Sequence, residues 1–258
     1  MPIAFAPELP AFILGACIGS FLNVCIYRIP LSKSIVTPGS MCPHCGKPIR
    51  FYDNIPIFSY LWLKGRCRQC QAPVSLRYPL VELLTALLFT ALANRFGVSV
   101  EAAIYMAFTA AMVTITFIDI DHRIIPDRIS LPGIPACFLA ALALPNMGWK
   151  AALLGVLVGG GTLFMVAWGY NMLTGKEGMG GGDIKLLAMI GALLGWQGVV
   201  FTIFLASLLG TVVGLSIMVY ARSNMKLAVP FGPFLAAGAL AFIFAGPELV
   251  GWYFGLMR

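Results

Sequence analysis

Charge is the scarcest commodity in this 258-residue chain: 17 Lys and Arg with 10 Asp and Glu make up only 10% of it, against 60% hydrophobic residues. At a mean hydropathy of +0.91, that shortage excludes a soluble globular domain, which could not hide so much apolar surface. Also missing is the basic flank and small-residue cleavage site of a signal peptide. Arg28 follows the first apolar run instead of preceding it, so that run is expected to remain as an uncleaved helix. No strand, glycine turn and helix of the dinucleotide-binding kind can be traced, and Gly159-Gly160-Gly161 lies inside an apolar run where close helix packing explains it.

What remains is a series of apolar stretches long enough for about 30 Å of hydrocarbon. They predict an all-α polytopic membrane protein with eight helices, near 9–28, 78–95, 101–120, 129–145, 151–172, 184–196, 198–220 and 229–246, the sixth too short to span comfortably. The chain divides into a first transmembrane helix at 1–28, a polar loop at 29–77 and a seven-helix membrane core at 78–258. Fourteen of the 17 basic residues fall on the side of that loop, leaving Arg95, Lys150 and Arg258 opposite. Excess positive charge marks the cytoplasmic side, so the loop is cytoplasmic and both termini are periplasmic. The basic residues are spread over short loops, which argues against a nucleic-acid partner.

Within the loop, Cys42-Pro43-His44-Cys45 is followed after 21 residues by Cys67-Arg68-Gln69-Cys70. Two C-x2-C turns can complete a tetrahedral S4 zinc site of ribbon type, and a reducing cytoplasm disfavours disulfides. A metal would then supply stability to a loop with little core of its own. His44 reads as a loop residue, and Cys17, Cys25 and Cys137 as small apolar side chains in helices.

The acidic residues are placed where charge is costly. Asp119 ends the third apolar run and Asp183 follows Gly180-Gly181-Gly182 at the start of the sixth, so both arrive at the cytoplasmic edge of the membrane. Ionisable groups at that depth are kept for a pathway, a pairing or a reaction. Two carboxylates that share a proton can activate a water with the ionised member and polarise a peptide carbonyl with the other. A helix N-terminus favours negative charge, which makes Asp183 the candidate for the ionised member. The three glycines allow unusual dihedrals and close approach of an extended substrate. Asp121, Asp127 and Lys185 are candidates for supporting roles, Asp127 chiefly as a helix cap and Lys185 as a carboxylate partner or interface anchor. Glu82 is expected to pair with a loop arginine such as Arg77. Asp119, Asp121, Asp127, Glu177 and Asp183 form an acidic edge suited to a basic peptide. A proton- or ion-coupled transporter is the competing reading, although no second Gly-x-Gly-Asp segment marks an internal repeat. A zinc-clipped adaptor would leave the aspartates idle.

Gly19-Ser20-Phe21-Leu22-Asn23 with Tyr27-Arg28, the double cysteine pair, Arg77-Tyr78-Pro79 with Glu82, the segment 119–127, Gly180-Gly181-Gly182-Asp183 with Lys185, and Pro230-Phe231-Gly232-Pro233 together resemble the type IV prepilin peptidase family. That resemblance implies a GxGD-type intramembrane aspartic peptidase of the bacterial inner membrane, with Asp119 and Asp183 in the catalytic positions and Cys42, Cys45, Cys67 and Cys70 in cysteine positions that many members share. It implies cleavage of the short basic leader of type IV prepilins and type II secretion pseudopilins on the cytoplasmic side. Methylation of the new amino terminus with S-adenosylmethionine would follow. Neither the residues for methyl transfer nor an oligomeric state follows from it.

Overall fold

A computed structural model describes residues 7–145, 147–176, 180–221 and 229–256, so Glu177 of the expected acidic edge lies outside the described residues. Among these the regular elements are α-helices, with a 3-10 turn at Phe51–Asn54 and two isolated β-bridges in the loop. The helices are α1 (Glu8–Arg28), α2 (Phe58–Trp62), α3 (Arg77–Phe96), α4 (Val100–His122), α5 (Asp127–Ala141), α6 (Trp149–Thr174), α7 (Gly181–Ala221) and α8 (Gly232–Leu256). Inside α7, Gly195 takes φ 70° and ψ 179°, which divides it into two arms. Only glycine enters that region without a Cβ clash. With α2 assigned to the loop and the two arms counted separately, the eight apolar helices expected from the sequence are present.

Several boundaries move. The break falls at Gly195, α5 stops at Ala141 and contains Pro132 and Pro135, and α8 starts at Gly232 and not near 229. Five helices, α1, α3, α4, α6 and α7, have the length and composition to cross a membrane. The first arm of α7 rises only about 21 Å at 1.5 Å per residue, short of the hydrocarbon thickness. Large apolar side chains also point outward: Leu157, Phe164, Met165 and Trp168 on α6, and Phe204, Leu208 and Val212 on α7, are exposed. Helices apolar on every face suit lipid, where the backbone must satisfy its own hydrogen bonds. The protein is a polytopic membrane protein.

The chain forms two compact units, Met1–Thr114 and Ile115–Arg258, with the boundary inside α4. In the first unit α1 packs on α3 through Gly15 and Gly19: a Cβ there would lie 2.7 Å from the Ala86 Cα and 2.6 Å from the Glu82 Cα. Such small-residue seams let helix backbones meet where lipid offers no hydrophobic drive.

The second unit is organised around the first arm of α7, every residue of which from Leu186 to Gly195 is buried. Gly155 of α6 faces Gly191 so closely that a Cβ on either would come within 2.0 or 2.1 Å of the other's carbonyl oxygen. Gly159 packs likewise on the Leu187 carbonyl at 2.4 Å, whereas Gly161 faces open space. On α5, Gly133 accommodates Met189, and on α8, Phe242 lies against Gly198 and meets Phe201 with ring centroids 5.5 Å apart. Asp183 therefore sits in the first turn of the helix that forms the core of its unit.

Candidate active site and cysteine cluster

Asp119 is the one buried carboxylate of the second unit among the described residues, only 5% exposed, three residues before the end of α4. The helix closes just beyond it. Arg123 takes a left-handed φ of 55° and donates its backbone N–H to the Asp119 carbonyl at 2.8 Å. The carboxylate itself is held from another element: the backbone N–H of Gly232 donates to Asp119 Oδ2 at 2.9 Å in a buried contact. Gly232 is the first residue of α8, where N–H groups have no partner within the helix. The fit depends on glycine, because a Cβ at 232 would stand 2.7 Å from Asp119 Oδ2 and 3.3 Å from its Cγ.

Asp183 is half-buried in the first turn of α7, and the charge of Asp119 reaches it electrostatically. Ile125, in the short connection between α4 and α5, touches both sides of the pair. Its Cβ would lie 2.8 Å from a Cβ at Gly182, and its Cδ1 3.3 Å from one at Gly232. The two aspartates thus share a neighbourhood built from the ends of α4, α7 and α8. Helix termini serve both carboxylates, Asp183 on α7 and Asp119 at the start of α8, so the electrostatic help expected for Asp183 alone is divided between them.

The glycines before Asp183 act differently from expectation. Gly181 and Gly182 already belong to α7, and none of Gly180, Gly181 and Gly182 has a positive φ. Gly182 is needed for its contact with Ile125, Gly181 faces open space, and a Cβ at Gly180 would lie 3.8 Å from Asp183 Oδ2. Gly180 and Gly181 are both exposed, which leaves backbone accessible next to Asp183.

Of the supporting candidates, Asp127 is not a cap. It is the first residue of α5, whose cap position is Pro126, and its two oxygens bind Lys185 Nζ at 2.7 and 2.9 Å. This pair ties the start of α5 to the first turn of α7. Asp121 is exposed, two residues beyond Asp119. Gly232 and Ile125 enter the sequence reading only inside the motifs Pro230-Phe231-Gly232-Pro233 and 119–127, with no role of their own. The signal for Gly232 was a glycine before a proline opening an apolar run, the pattern of a helix start.

The cysteines lie in the first unit. Their four sulfurs fall within 4.8 Å of one another, and Cys42 and Cys70 Sγ are 3.8 Å apart. Zinc–sulfur bonds of about 2.3 Å place tetrahedral sulfurs roughly 3.8 Å apart, so the group fits such an ion. Each pair is shaped by the same turn. Cys42 N–H bonds the Lys47 carbonyl and Cys67 N–H that of Ala72, while Gly46 and Gln71 take left-handed φ values of 67° and 58°. Backbone N–H groups of Cys70 and Gln69 aimed at the Cys67 sulfur pull its thiol down to about 7. The Ala72 N–H also favours the Cys70 thiolate, but burial and the neighbouring thiols together push that thiol up to about 11. His44 is exposed and outside the cluster; Cys25 and Cys137 are buried, whereas Cys17 is exposed on α1. Arg68 grips Asp53 through bonds of 2.7 to 3.0 Å, and this guanidinium holds the Asp53 carboxyl below the usual carboxylate range. Glu82 Oε2 accepts the Ile57 N–H at 2.7 Å, which ties the loop to α3.

Fold and site together define a helical membrane protein with two neighbouring carboxylates and a separate four-cysteine cluster. The comparisons name it more closely: residues 13–96 match the Bacterial Peptidase A24 N-terminal domain and residues 106–215 the Type IV leader peptidase family, and the chain belongs to that family. It is 38% identical to a prepilin leader peptidase/N-methyltransferase of Aeromonas hydrophila over 94% of this chain and 92% of the relative. Proteins of the same name from Stutzerimonas stutzeri (37% identical, 100% and 96% covered) and Pseudomonas aeruginosa (37%, 98% and 94%) are similar throughout. No solved structure matches the chain.

Proposed function

We propose that this protein is a prepilin leader peptidase and N-methyltransferase, cleaving the basic leader of type IV prepilins and pseudopilins with Asp119 and Asp183. The observation that carries the peptidase reading is the pair itself: a buried Asp119 whose charge reaches Asp183, both at helix ends of one unit. One carboxylate takes a proton from water as it attacks the scissile carbonyl, and the protonated partner donates to the carbonyl oxygen. The resulting diol collapses with protonation of the leaving amine, without a covalent enzyme intermediate. Gly232 N–H orients Asp119 for this exchange. The accessible backbone at Gly180 and Gly181 lets the substrate lie beside Asp183, and Asp127 with Lys185 fixes the start of α7 relative to α5. Asp121 adds to the acidic edge that attracts a basic leader.

The chain resides in the bacterial inner membrane, with loop 29–77 and the aspartates facing the cytoplasm and both termini periplasmic, because most basic residues lie on that side. The loop works as a module distinct from the membrane core, and Cys42, Cys45, Cys67 and Cys70 hold a structural zinc that closes its coordination sphere. S-adenosylmethionine supplies the methyl group for the new amino terminus. A transporter reading finds no support beside membership of a peptidase family. The test is cleavage of a synthetic prepilin by the detergent-solubilised protein and by folded Asp119→Asn and Asp183→Asn variants. Loss of cleavage in both is expected; residual activity in either removes that residue from the mechanism, and an inactive wild type returns the transporter or adaptor reading.

A further inference from the structure

At 21 and 20 residues, α1 and α3 are about 30 Å long, only just the thickness of the hydrocarbon they cross. The short helix α2 is fixed to them inside the level of their ends. The Ile57 N–H that precedes it donates to Glu82 Oε2 at 2.7 Å, and Glu82 lies five residues into α3, about 7.5 Å from its loop-side end. On α1 the same level is Gly19, whose Cβ would lie 2.6 Å from the Glu82 Cα, nine residues before the helix ends at Arg28. The start of α2 is therefore at the edge of the hydrocarbon, not in the water beyond it.

From there α2 turns two faces to different surroundings. Ser59 is buried and the Tyr60 hydroxyl donates to the Val74 carbonyl of the loop at 3.3 Å. Phe58, Leu61 and Trp62, one face at i, i+3 and i+4, are instead 58%, 68% and 69% exposed. Phe58 and Trp62 stack with ring centroids 6.0 Å apart, and the exposed Lys64 and Arg66 follow directly. An apolar face that ends in tryptophan and basic residues has the make-up of an interfacial segment: the indole sits at headgroup level and long cationic stems reach anionic phosphates from it. On α3, Leu80, Leu83 and Leu84 are exposed at the level of the Glu82 bond, so this face continues a surface that already meets lipid.

We propose that Phe58, Leu61 and Trp62 are immersed in the bilayer at the boundary of headgroups and acyl chains, so that the cysteine loop is docked on the membrane surface instead of extending free into solution. On the topology proposed above this is the cytoplasmic leaflet; the immersion itself rests only on α1 and α3 crossing the membrane.

The test uses the full chain with p-acetylphenylalanine in place of Trp62, coupled to a nitroxide and reconstituted in phosphatidylcholine–phosphatidylglycerol vesicles. Collisions with oxygen, which concentrates in lipid, are compared with collisions with a neutral nickel chelate, which stays in water. The same label at His44, exposed in the loop, and at Leu157, exposed on α6, supplies the aqueous and lipid references. The oxygen-to-nickel ratio at 62 is expected to exceed that at 44 by at least roughly threefold and to approach that at 157. A ratio at 62 equal to that at 44 overturns the proposal in favour of a face left in water. Protection from both reagents overturns it in favour of a protein covering, whether a second copy or the substrate. A ratio at 157 as low as at 44 overturns the membrane reading of the helices themselves, and an inverted topology changes none of the three ratios. Phe58→Ser combined with Leu61→Ser should lower the ratio at 62 at least roughly twofold, and an unchanged ratio in that folded variant would remove this face from the docking.

Discussion

The contact between Gly232 and Asp119 is the most economical point at which to test the site, because a single methyl group perturbs it. In Gly232→Ala the new Cβ would stand 2.7 Å from Asp119 Oδ2, 3.3 Å from its Cγ and 3.3 Å from Ile125 Cδ1. Separations below 3 Å are not tolerated, and Asp119 is buried on the end of a helix, so either its carboxylate rotates away or the start of α8 shifts. Both responses break the 2.9 Å bond from Gly232 N–H. A hydrogen bond to a charged group contributes about 1.5–3 kcal/mol. At 1.36 kcal/mol per tenfold in rate, its loss lowers kcat/KM roughly 10- to 150-fold if the bond is needed in the transition state.

The assay is cleavage of a synthetic prepilin per mole of folded enzyme, with folding followed by elution profile and thermal unfolding in detergent. Two controls separate chemistry from packing. Gly161→Ala meets nothing within 4 Å and should match wild type. Gly238→Ala, also on α8, meets the Thr202 carbonyl oxygen at 2.9 Å and should lower the unfolding temperature without the same loss of rate in the folded fraction. The effect of Gly232→Ala should fall mainly on kcat, since the glycine touches Asp119 and the perturbation is to proton exchange. A Gly232→Ala enzyme within threefold of wild type would refute the argument that this backbone group positions Asp119.

Other consequences can be measured on the same preparations. Gly155→Ala and Gly191→Ala drive a methyl to within about 2 Å of backbone, so neither should yield folded protein, whereas Gly160→Ala, with its nearest neighbour at 3.4 Å, should be tolerated; a monodisperse Gly191→Ala protein would contradict the packing of α6 on α7. Elemental analysis should find about one zinc per chain, lost together with loop stability in Cys42→Ser, and equal zinc in that variant would remove the cysteines from the site. The Asp127–Lys185 pair has side-chain exposures of 55% and 36%, so a double-mutant cycle should give a coupling below about 1 kcal/mol, and a larger value would mean that the pair does more than tether α5 to α7.

The number of apolar helices was legible because scarcity of charge and run length alone decide it. The ends were less so. The run 184–220 is broken in the sequence at Gln197, and the backbone of Gly195 places the end of the first arm two residues earlier. The Pro132 and Pro135 pair lies inside α5 and not at an end, since neighbouring helices cover a backbone that proline would otherwise leave exposed. Glycine packing was legible at Gly159, which sits in a visible cluster, and missed at Gly155 and Gly191, single glycines in long apolar runs whose pairing exists only once α6 and α7 meet.

The same distinction divides the site. Asp119 and Asp183 stand out because a carboxylate beside an apolar run is costly wherever the chain folds, and the cysteines because their spacing fixes the turns that hold them. Gly232 and Ile125 carry no cost in isolation. Their roles arise from separations of 113 residues, for the bond to Asp119, and of more than fifty, for the contact of Ile125 with Gly182. Lys185 shows the intermediate case: its charge called for a partner, but the choice of Asp127 required the first turn of α7 to lie against the start of α5. A side chain that pays to be where it is can be found in one dimension; a neighbour whose only property is to fit beside it appears when the helix ends converge.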